Sequence, residues 1–283
     1  MNQLRIAVPN KGGLAEPATE MLHEAGYRQR TDSRDLVLID EENNVEFYFL
    51  RPRDIAVYVA SGTLDVGITG RDLVLDSGAD VTELLPLGFG ESTFRFAARP
   101  GVATEVADIA GLRVATSYTG LVEAHLAQRD IDAEVIRLDG AVETSVRLGV
   151  ADVVADVVSS GTTLRQAGLE IFGETILESE AVVIARDHSS VTPAVEQLLR
   201  RIRGVLVARS YVMMDYDIRV EHLEQASQLT PGIESPTVSP LHREGWVAVR
   251  AMVLSVEAHQ AMDALWDLGA RGILVTDIVA CRL

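Results

Sequence analysis

The sequence predicts an α/β fold: a two-lobed core with largely parallel sheets, followed by a small further domain. Short β-branched runs alternate with segments of helical period up to Gly204, which is the pattern of strands joined by crossover helices. Polar loops follow five of the predicted strands, at the position where parallel sheets bind their ligands. After Gly204 the order of strands and helices changes, and this change indicates the further domain.

The first strand and helix are defined by their ends. Leu4–Val8 is a short apolar strand, and the polar loop Asn10–Gly13 follows it. A helix is predicted from about Leu14 to Ala25, because its apolar residues recur on one side at helical spacing and Gly26 ends it. This strand–loop–helix unit opens the first lobe.

Further strands and the loops after them predict a single cleft. The strands lie at Val45–Leu50, Leu64–Ile68, Leu112–Thr116, Glu134–Leu138 and Val153–Val158. The last four are followed by the loops Thr69–Asp72, Ser117–Gly120, Asp139–Glu143 and Ser159–Thr163. Because the carboxyl ends of parallel strands share one edge of a sheet, we expect these loops and Asn10–Gly13 to line a cleft fed by two lobes.

The first lobe is expected to be discontinuous. The chain crosses to the second lobe near Phe89–Arg99, returns in a strand at Glu178–Arg186 and completes the first lobe with a helix around Pro193–Arg203. The predicted boundaries are residues 1–91 with 179–208 for the first lobe and 92–178 for the second. A lobe with another inserted into it is the plan of bilobal, hinge-closing binding folds.

Residues 209–283 have the element order βαββαβ, which is the ferredoxin-like unit. The strands are predicted at Tyr211–Asp215, Ser235–Leu241, Trp246–Val253 and Gly272–Val279, and the helices at Val220–Leu229 and Ala258–Leu268. The segment contains no cluster of reactive side chains. It therefore favours a regulatory or assembly role over a catalytic one.

Composition excludes several classes of protein. The 283 residues carry a formal charge of −17, which argues against binding nucleic acid or an anionic membrane. No apolar run approaches the ~18 residues of a membrane span, and the N-terminus lacks a secretory pattern. The single cysteine, Cys281, excludes an intrachain disulfide and a cysteine-based metal cluster. We expect a cytoplasmic protein.

The common catalytic motifs are missing from the sequence. It has no Gly-x-Ser-x-Gly, no Walker-type loop and no Gly-x-Gly-x-x-Gly fingerprint. No pair of the six histidines has the spacing of a metal site, and we interpret all of them as solvated surface residues. What remains is a set of loops that can hold anions.

The strand Val153–Val158 runs into a turn of small residues, Ser159–Thr163, that opens a helix. Its backbone N–H groups carry little side-chain bulk and lie at the positive end of a helix dipole, so the turn can cradle a phosphate. Asp156 can accept hydrogen bonds from sugar hydroxyls, and the hydroxyls of Thr162 and Thr163 can donate to phosphate oxygens. An ordinary strand–turn–helix junction with a Ser/Thr cap is the alternative.

Two cations follow predicted strands closely. Lys11 is the only lysine beside 24 arginines, and from its glycine-containing loop it can reach a phosphate as a point charge. Arg51 precedes Pro52, which favours an extended backbone, so its guanidinium fork can bind a diphosphate bidentately. The alternatives are a solvated lysine in a turn and a surface salt bridge to Asp54.

Asp139 and Glu143 flank a glycine turn that enters a helix. These carboxylates can hold ribose hydroxyls, or a Mg²⁺ ion that a diphosphate carries. Alternatively, they cap the helix.

Four motifs combine into one pattern: Pro9–Gly12, Leu64–Asp72, Leu138–Glu143 and Asp156–Leu164. Together they resemble the signatures of ATP phosphoribosyltransferase, and Thr230–Thr237 is similar to the regulatory domain of its long form. The resemblance spans the whole chain. It implies a core like the type II periplasmic binding proteins with a ferredoxin-like regulatory domain. It also implies the first step of histidine biosynthesis, in which N1 of ATP attacks C1′ of phosphoribosyl diphosphate (PRPP) and Mg²⁺ is required.

The resemblance further implies roles for particular residues. PRPP would be held by Asp139, Gly140, Glu143, Asp156, Ser159, Ser160, Gly161, Thr162 and Thr163. The region that binds ATP and the diphosphate would be lined by Lys11, Arg34, Arg51, Thr69, Gly70 and Asp72, with Lys11 and Arg51 as the catalytic residues. Histidine, as an allosteric inhibitor, would bind at Asp217, Ile233, Ser235, Thr237, Met252 and Gly272. The family forms homo-oligomers, dimers and hexamers; which carboxylates hold the metal stays open.

Two alternatives to this enzyme remain on the sequence alone. One is a bilobal sensor that binds an anion or solute without catalysis. The other is a phosphoribosyltransferase that acts on another base. That class usually has two adjacent carboxylates in its PRPP loop, whereas Asp156 stands between Ala155 and Val157.

Overall fold

The structure is a computed structural model that describes residues 3–30, 32, 34–159 and 161–282. Within these ranges it confirms the predicted α/β class, with three sheets and helices packed on them. The chain divides into two compact units. One holds the residues up to Glu20 with Tyr27–Glu196, and the other holds Met21–Gly26 with the residues from Gln197 onward. None of the helices in the described ranges is both long enough and apolar enough to cross a bilayer.

Strands and helices alternate up to Ala185. The strands are β1 (Leu4–Pro9), β2 (Val37–Asp40), β3 (Val45–Leu50), β4 (Val66–Gly70), β5 (Thr82–Pro86), β6 (Ser92–Ala98), β7 (Arg113–Thr116), β8 (Glu134–Arg137), β9 (Val153–Val158), β10 (Glu170–Ser179) and β11 (Ala181–Ala185). The helices are α1 (Ala15–Glu24), α2 (Pro52–Ala60), α3 (Arg71–Ser77), α4 (Thr119–Ala127), α5 (Glu143–Arg147) and α6 (Thr162–Gln166).

The first sheet has the strand order β2-β3-β1-β4-β11-β5. Its strand β1 lies between β3 and β4 and is parallel to both, so the carboxyl ends of these three strands meet at one edge. Every residue of β4 is buried, as its apolar run predicts for a strand covered on both faces. Helix α2 packs Ile55 and Val59 against this sheet. We call the sheet with α2 and α3 the first lobe.

The second sheet has the order β10-β6-β9-β7-β8, in which β7 is parallel to both β8 and β9. Helix α4 covers one face, where its Leu121, Val122 and Leu126 pack against Phe94 and Phe96. Helices α5 and α6 cover the other face. We call this sheet with α4, α5 and α6 the second lobe.

The prediction of largely parallel sheets is wrong, because both sheets are mixed. The sequence did not show β2 and β5, since they are short and lack a clean alternation of buried and exposed residues. The segment predicted as a single strand, Glu178–Arg186, contains two. β10 ends in the second sheet at Ser179, β11 begins in the first sheet at Ala181, and Glu180 alone separates them.

The C-terminal part confirms the ferredoxin-like order. After α7 (Pro193–Ser210) come β12 (Tyr211–Arg219), α8 (Leu223–Leu229), β13 (Thr237–Pro240), β14 (Trp246–Leu254), α9 (Ala258–Asp267) and β15 (Arg271–Asp277). The four strands form an antiparallel sheet in the order β13-β14-β12-β15. Met214, Tyr216 and Ile218 alternate along β12 into a core that α8 and α9 share.

Helix α7 extends beyond its predicted end at Arg203 and runs to Ser210. Gly204, which follows the predicted end, lies inside the helix at a point where the C-terminal segment crosses it closely. A Cβ at Gly204 would lie 2.1 Å from the carbonyl oxygen of Cys281. This glycine therefore serves packing rather than termination.

Candidate active site

The loop between β9 and α6 forms the wall of a cavity of about 210 Å³. Gly161 begins the helix with φ +67, a left-handed backbone that glycine adopts without strain. The predicted PRPP-loop residues Ser159, Gly161, Thr162 and Thr163 line this cavity, together with Asp156 and Glu143. Ser160 lies outside the described residues. The structure thus brings most of the predicted PRPP residues around one small concave site.

Asp156 places a half-buried carboxylate at the end of β9. Burial raises the pKa of this carboxyl, and the nearby carboxylates of Glu143 and Asp72 raise it further. The Val157 N–H donates to Oδ1 at 2.8 Å and acts in the opposite direction, lowering the pKa. Arg95 is its cross-strand neighbour on β6, but the Arg95 guanidinium donates to the Gly173 carbonyl at 2.9 Å. Donor groups on a ligand, or a cation, would relieve this excess of negative charge.

The first lobe brings four of the six predicted ATP residues to one edge. Lys11 follows β1, Arg51 follows β3, and Thr69 and Gly70 end β4, so all of them lie at the shared carboxyl edge of three parallel strands. The side chains of Lys11 and Arg51 are exposed. Arg51 has the extended backbone that its position before proline predicts, with φ −63 and ψ 132.

Thr69 and Gly70 act within the protein in this structure. The Thr69 hydroxyl is fully buried and donates to the Pro52 carbonyl at 2.8 Å. A Cβ on Gly70 would lie 2.3 Å from Oδ1 of Asp72. Thr69 therefore fixes the start of α2, and Gly70 leaves room for the Asp72 side chain.

Asp72 is buried and bonded to the end of β10. Its N–H donates to the Ser179 hydroxyl at 3.0 Å, and that hydroxyl donates to Asp72 Oδ1 at 2.9 Å. Tyr118, just after β7, hydrogen-bonds Asp72, and burial with the charges of Asp72 and Asp156 raises the pKa of its phenol. Sequence reasoning placed the loop Ser117–Gly120 at the cleft but did not select Tyr118, because its partner lies on the other lobe.

Two predicted residues lie toward solvent. Arg34 has a side chain 89% exposed, and it pairs with Asp32 at 2.8 Å. Asp139 has a side chain 81% exposed, with Oδ1 3.6 Å from Nε of Arg137. Gly140, beside Asp139, has φ +92, so it makes the tight turn that the sequence predicted before α5. Arg34 and Asp139 contact a substrate only if that substrate reaches the rim of the site.

A second cavity of about 540 Å³ adjoins the first and shares Val158 and Ser159 with it. It lies where the chain crosses between the two sheets. Its remaining lining residues are Arg71, Glu91, Ser92, Thr93, Glu178, Ser179 and Glu180. Arg71 is already paired with Glu83 at 2.7 Å and Glu180 at 3.2 Å, so this cavity has an acidic lining.

The carboxylates of the site fit a Mg²⁺ ion that arrives with a substrate. Such an ion is usually held by one or two carboxylates and by substrate phosphates. Glu143 and Asp156 meet that pattern, since both line the cavity beside the Gly161–Thr163 turn. The part of the chain that the structure describes contains no group of three or more His, Cys, Asp or Glu side chains placed to hold a metal by themselves.

The predicted histidine site lies on the sheet of the C-terminal domain. A Cβ on Gly272, which has φ +60, would lie 3.7 Å from Asp217 Oδ2, so these two residues adjoin. Met252 is on the same face of the sheet, opposite Met213 and four residues along β12 from Asp217. Thr237 lies on the outer strand β13, where it pairs with Arg250 of β14. Ile233 and Ser235 are exposed in the segment before β13. Four of the six residues thus belong to the strands of this sheet, and Ile233 and Ser235 precede its outer strand.

His125 is not a solvated residue, contrary to the expectation from its sequence. It is only 8% exposed on α4, 5.7 Å from the Phe96 ring, and Nε2 has no partner in the described chain. Burial and the charge of Arg129 lower its pKa. The segment looked polar because Glu123 and Arg129 flank it, but the helix turns His125 toward the sheet.

Comparisons with known proteins agree over the full chain. A family model described as ATP phosphoribosyltransferase matches residues 51–204, and one described as HisG, C-terminal domain, matches residues 208–280. The ATP phosphoribosyltransferase of Streptomyces coelicolor is 65% identical over 284 residues, covering 99% of this chain and 100% of that protein. The enzyme of the same name from Salinispora tropica is 64% identical over 280 residues, covering 99% and 100%.

A solved structure shares the fold. It is a chain of the ATP phosphoribosyl transferase (HisG:HisZ) complex from Thermotoga maritima, with a TM-score of 0.62 and 22% identity, covering 71% of this chain and 97% of that one. At 22% identity this structure supports the fold alone, whereas the family models and the full-length relatives support membership of the family. The chain therefore belongs to the ATP phosphoribosyltransferase family, the pentosyltransferases that take the first step of histidine biosynthesis.

Proposed function

We propose that this pentosyltransferase holds PRPP on the loop between β9 and α6 and ATP at the carboxyl edge of the first sheet. The reaction joins C1′ of PRPP to N1 of the adenine and releases diphosphate. The observation that carries the proposal is the small cavity in which the Gly161–Thr163 turn adjoins the carboxylates of Asp156 and Glu143. Backbone amides suit the 5-phosphate, and carboxylates suit the ribose hydroxyls.

The excess negative charge at Asp156 supports a sugar ligand there. Two ribose hydroxyls would donate to the Asp156 carboxylate, whose Oδ1 already accepts the Val157 N–H at 2.8 Å. Displacement at an anomeric carbon also builds positive charge on the ribose ring. Carboxylates fixed beside that ring stabilise the charge without a covalent intermediate.

Alignment of two anionic substrates is the other requirement of this chemistry. Lys11 and Arg51 are exposed at the edge where β1 and β3 end, so their charges are free to meet phosphates. They offset the repulsion between ATP and PRPP within a protein of net charge −17. Mg²⁺ held by Glu143, Asp156 and the diphosphate would neutralise the leaving group.

Histidine is proposed as an allosteric inhibitor that binds the C-terminal domain near Asp217 and Gly272. The Asp217 carboxylate can pair with the ammonium or imidazolium group of histidine. Asp217→Asn should weaken inhibition by histidine while leaving the uninhibited rate unchanged. Asp263→Asn, an exposed change on α9, is the matched control and should retain full inhibition. Equal inhibition of both variants would contradict this placement.

The chain is further proposed to work in the cytoplasm as a homo-oligomer, a dimer or hexamer. Light scattering with and without histidine tests this, because a shift of mass with the inhibitor would link assembly to regulation. A monomer under both conditions contradicts the proposal.

An assay of diphosphate release tests the reaction itself. The wild-type chain should release diphosphate only when both ATP and PRPP are present with Mg²⁺. Asp156→Ala and Lys11→Ala should remove most of the activity while the far-ultraviolet circular dichroism stays unchanged. Asp132→Asn, an exposed change before β8, should have little effect. Diphosphate release that does not require ATP would refute the proposed substrate pair.

A further inference from the structure

A buried carboxylate joins the two lobes. Asp76 lies on α3 in the first lobe, with its side chain only 8% exposed. Its Oδ1 accepts the N–H groups of Gly120 at 3.0 Å and Leu121 at 3.4 Å, both in the first turn of α4 in the second lobe. Its Oδ2 accepts a bond from the Arg53 guanidinium of α2. One side chain therefore ties α2 and α3 to the start of α4.

Helix α4 depends on the other lobe for its cap. The first N–H groups of a helix have no partner within it and need an acceptor from outside. The residue at the cap position, Tyr118, makes no side-chain capping bond. Asp76 supplies the acceptor instead, and its negative charge lies at the positive end of the helix dipole.

Gly120 provides an independent sign that the two helices are built to approach each other. Its backbone is helical, so no turn requires a glycine there. A Cβ at this position would lie 2.3 Å from the Asp76 carbonyl oxygen. Only glycine allows α3 and α4 to come this close.

The contact continues to the substrate cleft. The Arg53 guanidinium carbon lies 4.8 Å from the centroid of the Tyr118 ring, and Tyr118 hydrogen-bonds Asp72. Asp72 and Asp76 stand at opposite ends of α3, and both contact the segment that begins α4. We call the group Arg53, Asp72, Asp76, Tyr118 and Gly120 the interlobe latch. It connects the lobes next to the site, since Asp72 bonds Ser179, which lines the larger cavity.

We propose that Asp76 is a positioning residue for the transfer reaction, because the interlobe latch fixes the distance between the two substrates. This inference rests on the proposed function, in which PRPP binds the second lobe and ATP the first. The reacting atoms then come from different lobes. Misplacement of such atoms by about 1 Å can reduce a rate about 100-fold without weakening either substrate's own contacts.

The kinetic test separates positioning from binding. Asp76→Ala should lower kcat by about 10- to 100-fold while each KM changes by less than about threefold, since neither substrate touches Asp76. Asp76→Asn can keep one oxygen as the acceptor of both N–H groups but loses the acceptor for the Arg53 guanidinium, so its kcat should fall between those of Asp76→Ala and the wild type. If Asp76→Ala does not fold, Asp76→Asn and Gly120→Ala carry the test. An unchanged kcat in these variants overturns the proposal.

A matched control lies within one lobe. Asp152 also accepts a backbone N–H and a guanidinium, both from Arg113, at 3.1 Å and 2.9 Å. Asp152→Ala should lower the unfolding temperature as Asp76→Ala does, but its kcat should stay within about twofold of the wild type. Equal losses of kcat in both variants mean that stability alone explains the effect, and the proposal is then wrong.

Hydrogen exchange without substrates tests the latch apart from the reaction. The N–H groups of Gly120 and Leu121 should exchange at least about tenfold faster in Asp76→Ala than in the wild type, and at the wild-type rate in Asp152→Ala. Unchanged exchange in Asp76→Ala overturns the latch even in an active enzyme. An inactive wild type with normal latch exchange refutes the proposed function instead, so the two failures are distinguishable.

Discussion

At the residue scale, Asp156 shows how the site and the stability of the fold oppose each other. Its carboxylate is half-buried at the end of β9 beside two further carboxylates, and these surroundings raise its pKa. Charge held at such a position destabilises the folded chain unless a ligand compensates it. The residue that we expect to bind the ribose is therefore one that the fold alone would not favour.

Asp156→Asn should make the protein more stable and less active. The raised pKa means that the folded state holds the proton more tightly than the unfolded state. The destabilisation is accordingly full at neutral pH and disappears as pH falls through the folded pKa. We expect a gain of about 1 kcal/mol in the free energy of unfolding at pH 7, with a large loss of PRPP affinity. Denaturation at pH 7 and pH 4 checks this, and a gain of equal size at both pH values contradicts it.

His125→Phe should remove part of the acid sensitivity of the protein. The folded-state pKa of His125 is lowered, so the unfolded state binds the proton more readily, and stability falls as pH drops below the unfolded value of about 6.5. Phenylalanine keeps the contact with Phe96 and does not titrate. The wild type should lose more unfolding free energy between pH 7 and pH 5 than the variant, as measured by urea denaturation. Identical losses would show that His125 does not contribute.

Residues that act across the lobes were beyond sequence reasoning. The loop of Gly161 and Thr162 was predicted because strand, turn and helix follow one another along the chain. Asp76 and Tyr118 carried no such local signal, since their partners lie 44 or more residues away or on another helix. Thr69 fitted a substrate-binding motif, yet its hydroxyl bonds the Pro52 carbonyl. A sequence motif shows which residues occur together but not whether a side chain faces the ligand or the fold.

At the scale of elements, the buried strands could be predicted from the sequence and the exposed edge strands could not. Strands β1, β3 and β9 were predicted at nearly their observed bounds because their apolar runs are covered by helices. The edge strands β2 and β5 have little apolar pattern and were missed. Helix α7 was predicted to end at Arg203, but it continues through Gly204, where the missing side chain leaves room for the C-terminal segment.

Gly204→Ala should destabilise the second compact unit, although alanine favours a helix. The new Cβ would meet the carbonyl oxygen of Cys281, so the C-terminal segment must move. In a chain that ends after Asp277 that obstacle is gone, and the same change should then stabilise the protein by up to about 1 kcal/mol. Thermal unfolding of the four proteins checks the reversal of sign. The same sign in both backgrounds would contradict the packing role of Gly204.

At the scale of the whole molecule, charge opposes the substrates. The chain carries a formal charge of −17 and must bind two anions, so long-range repulsion slows their approach. Lys11 and Arg51 attract the substrates only at close range.

Membership of the enzyme family removes the sensor and the other-base transferase as alternatives to this reaction. The reaction could be predicted from the sequence because of motifs that the chain shares with its relatives. Periodicity and composition predicted only the fold class and an anion-binding cleft.

The KM values for ATP and PRPP should fall as salt rises from about 0.01 M to about 0.15 M, because the screening length shrinks from about 30 Å to about 8 Å. Close contacts to Lys11 and Arg51 are screened much less than the field of the whole chain. Steady-state kinetics at constant free Mg²⁺, with sodium chloride as the salt, measures the trend. A steady rise of both KM values would show that local cations dominate the approach of substrates.

Glu180 gives the core a short pivot. It is the single residue between a strand of the second sheet and a strand of the first, and its carboxylate is held by Arg71 and by the Gly88 N–H. A one-residue link has no slack, so the two halves of the core cannot slide apart or shift in register at this point. The chain crosses between the sheets a second time at residues 87–91, so an opening that admits substrate would turn about both crossings, which makes the motion one of angle rather than of distance.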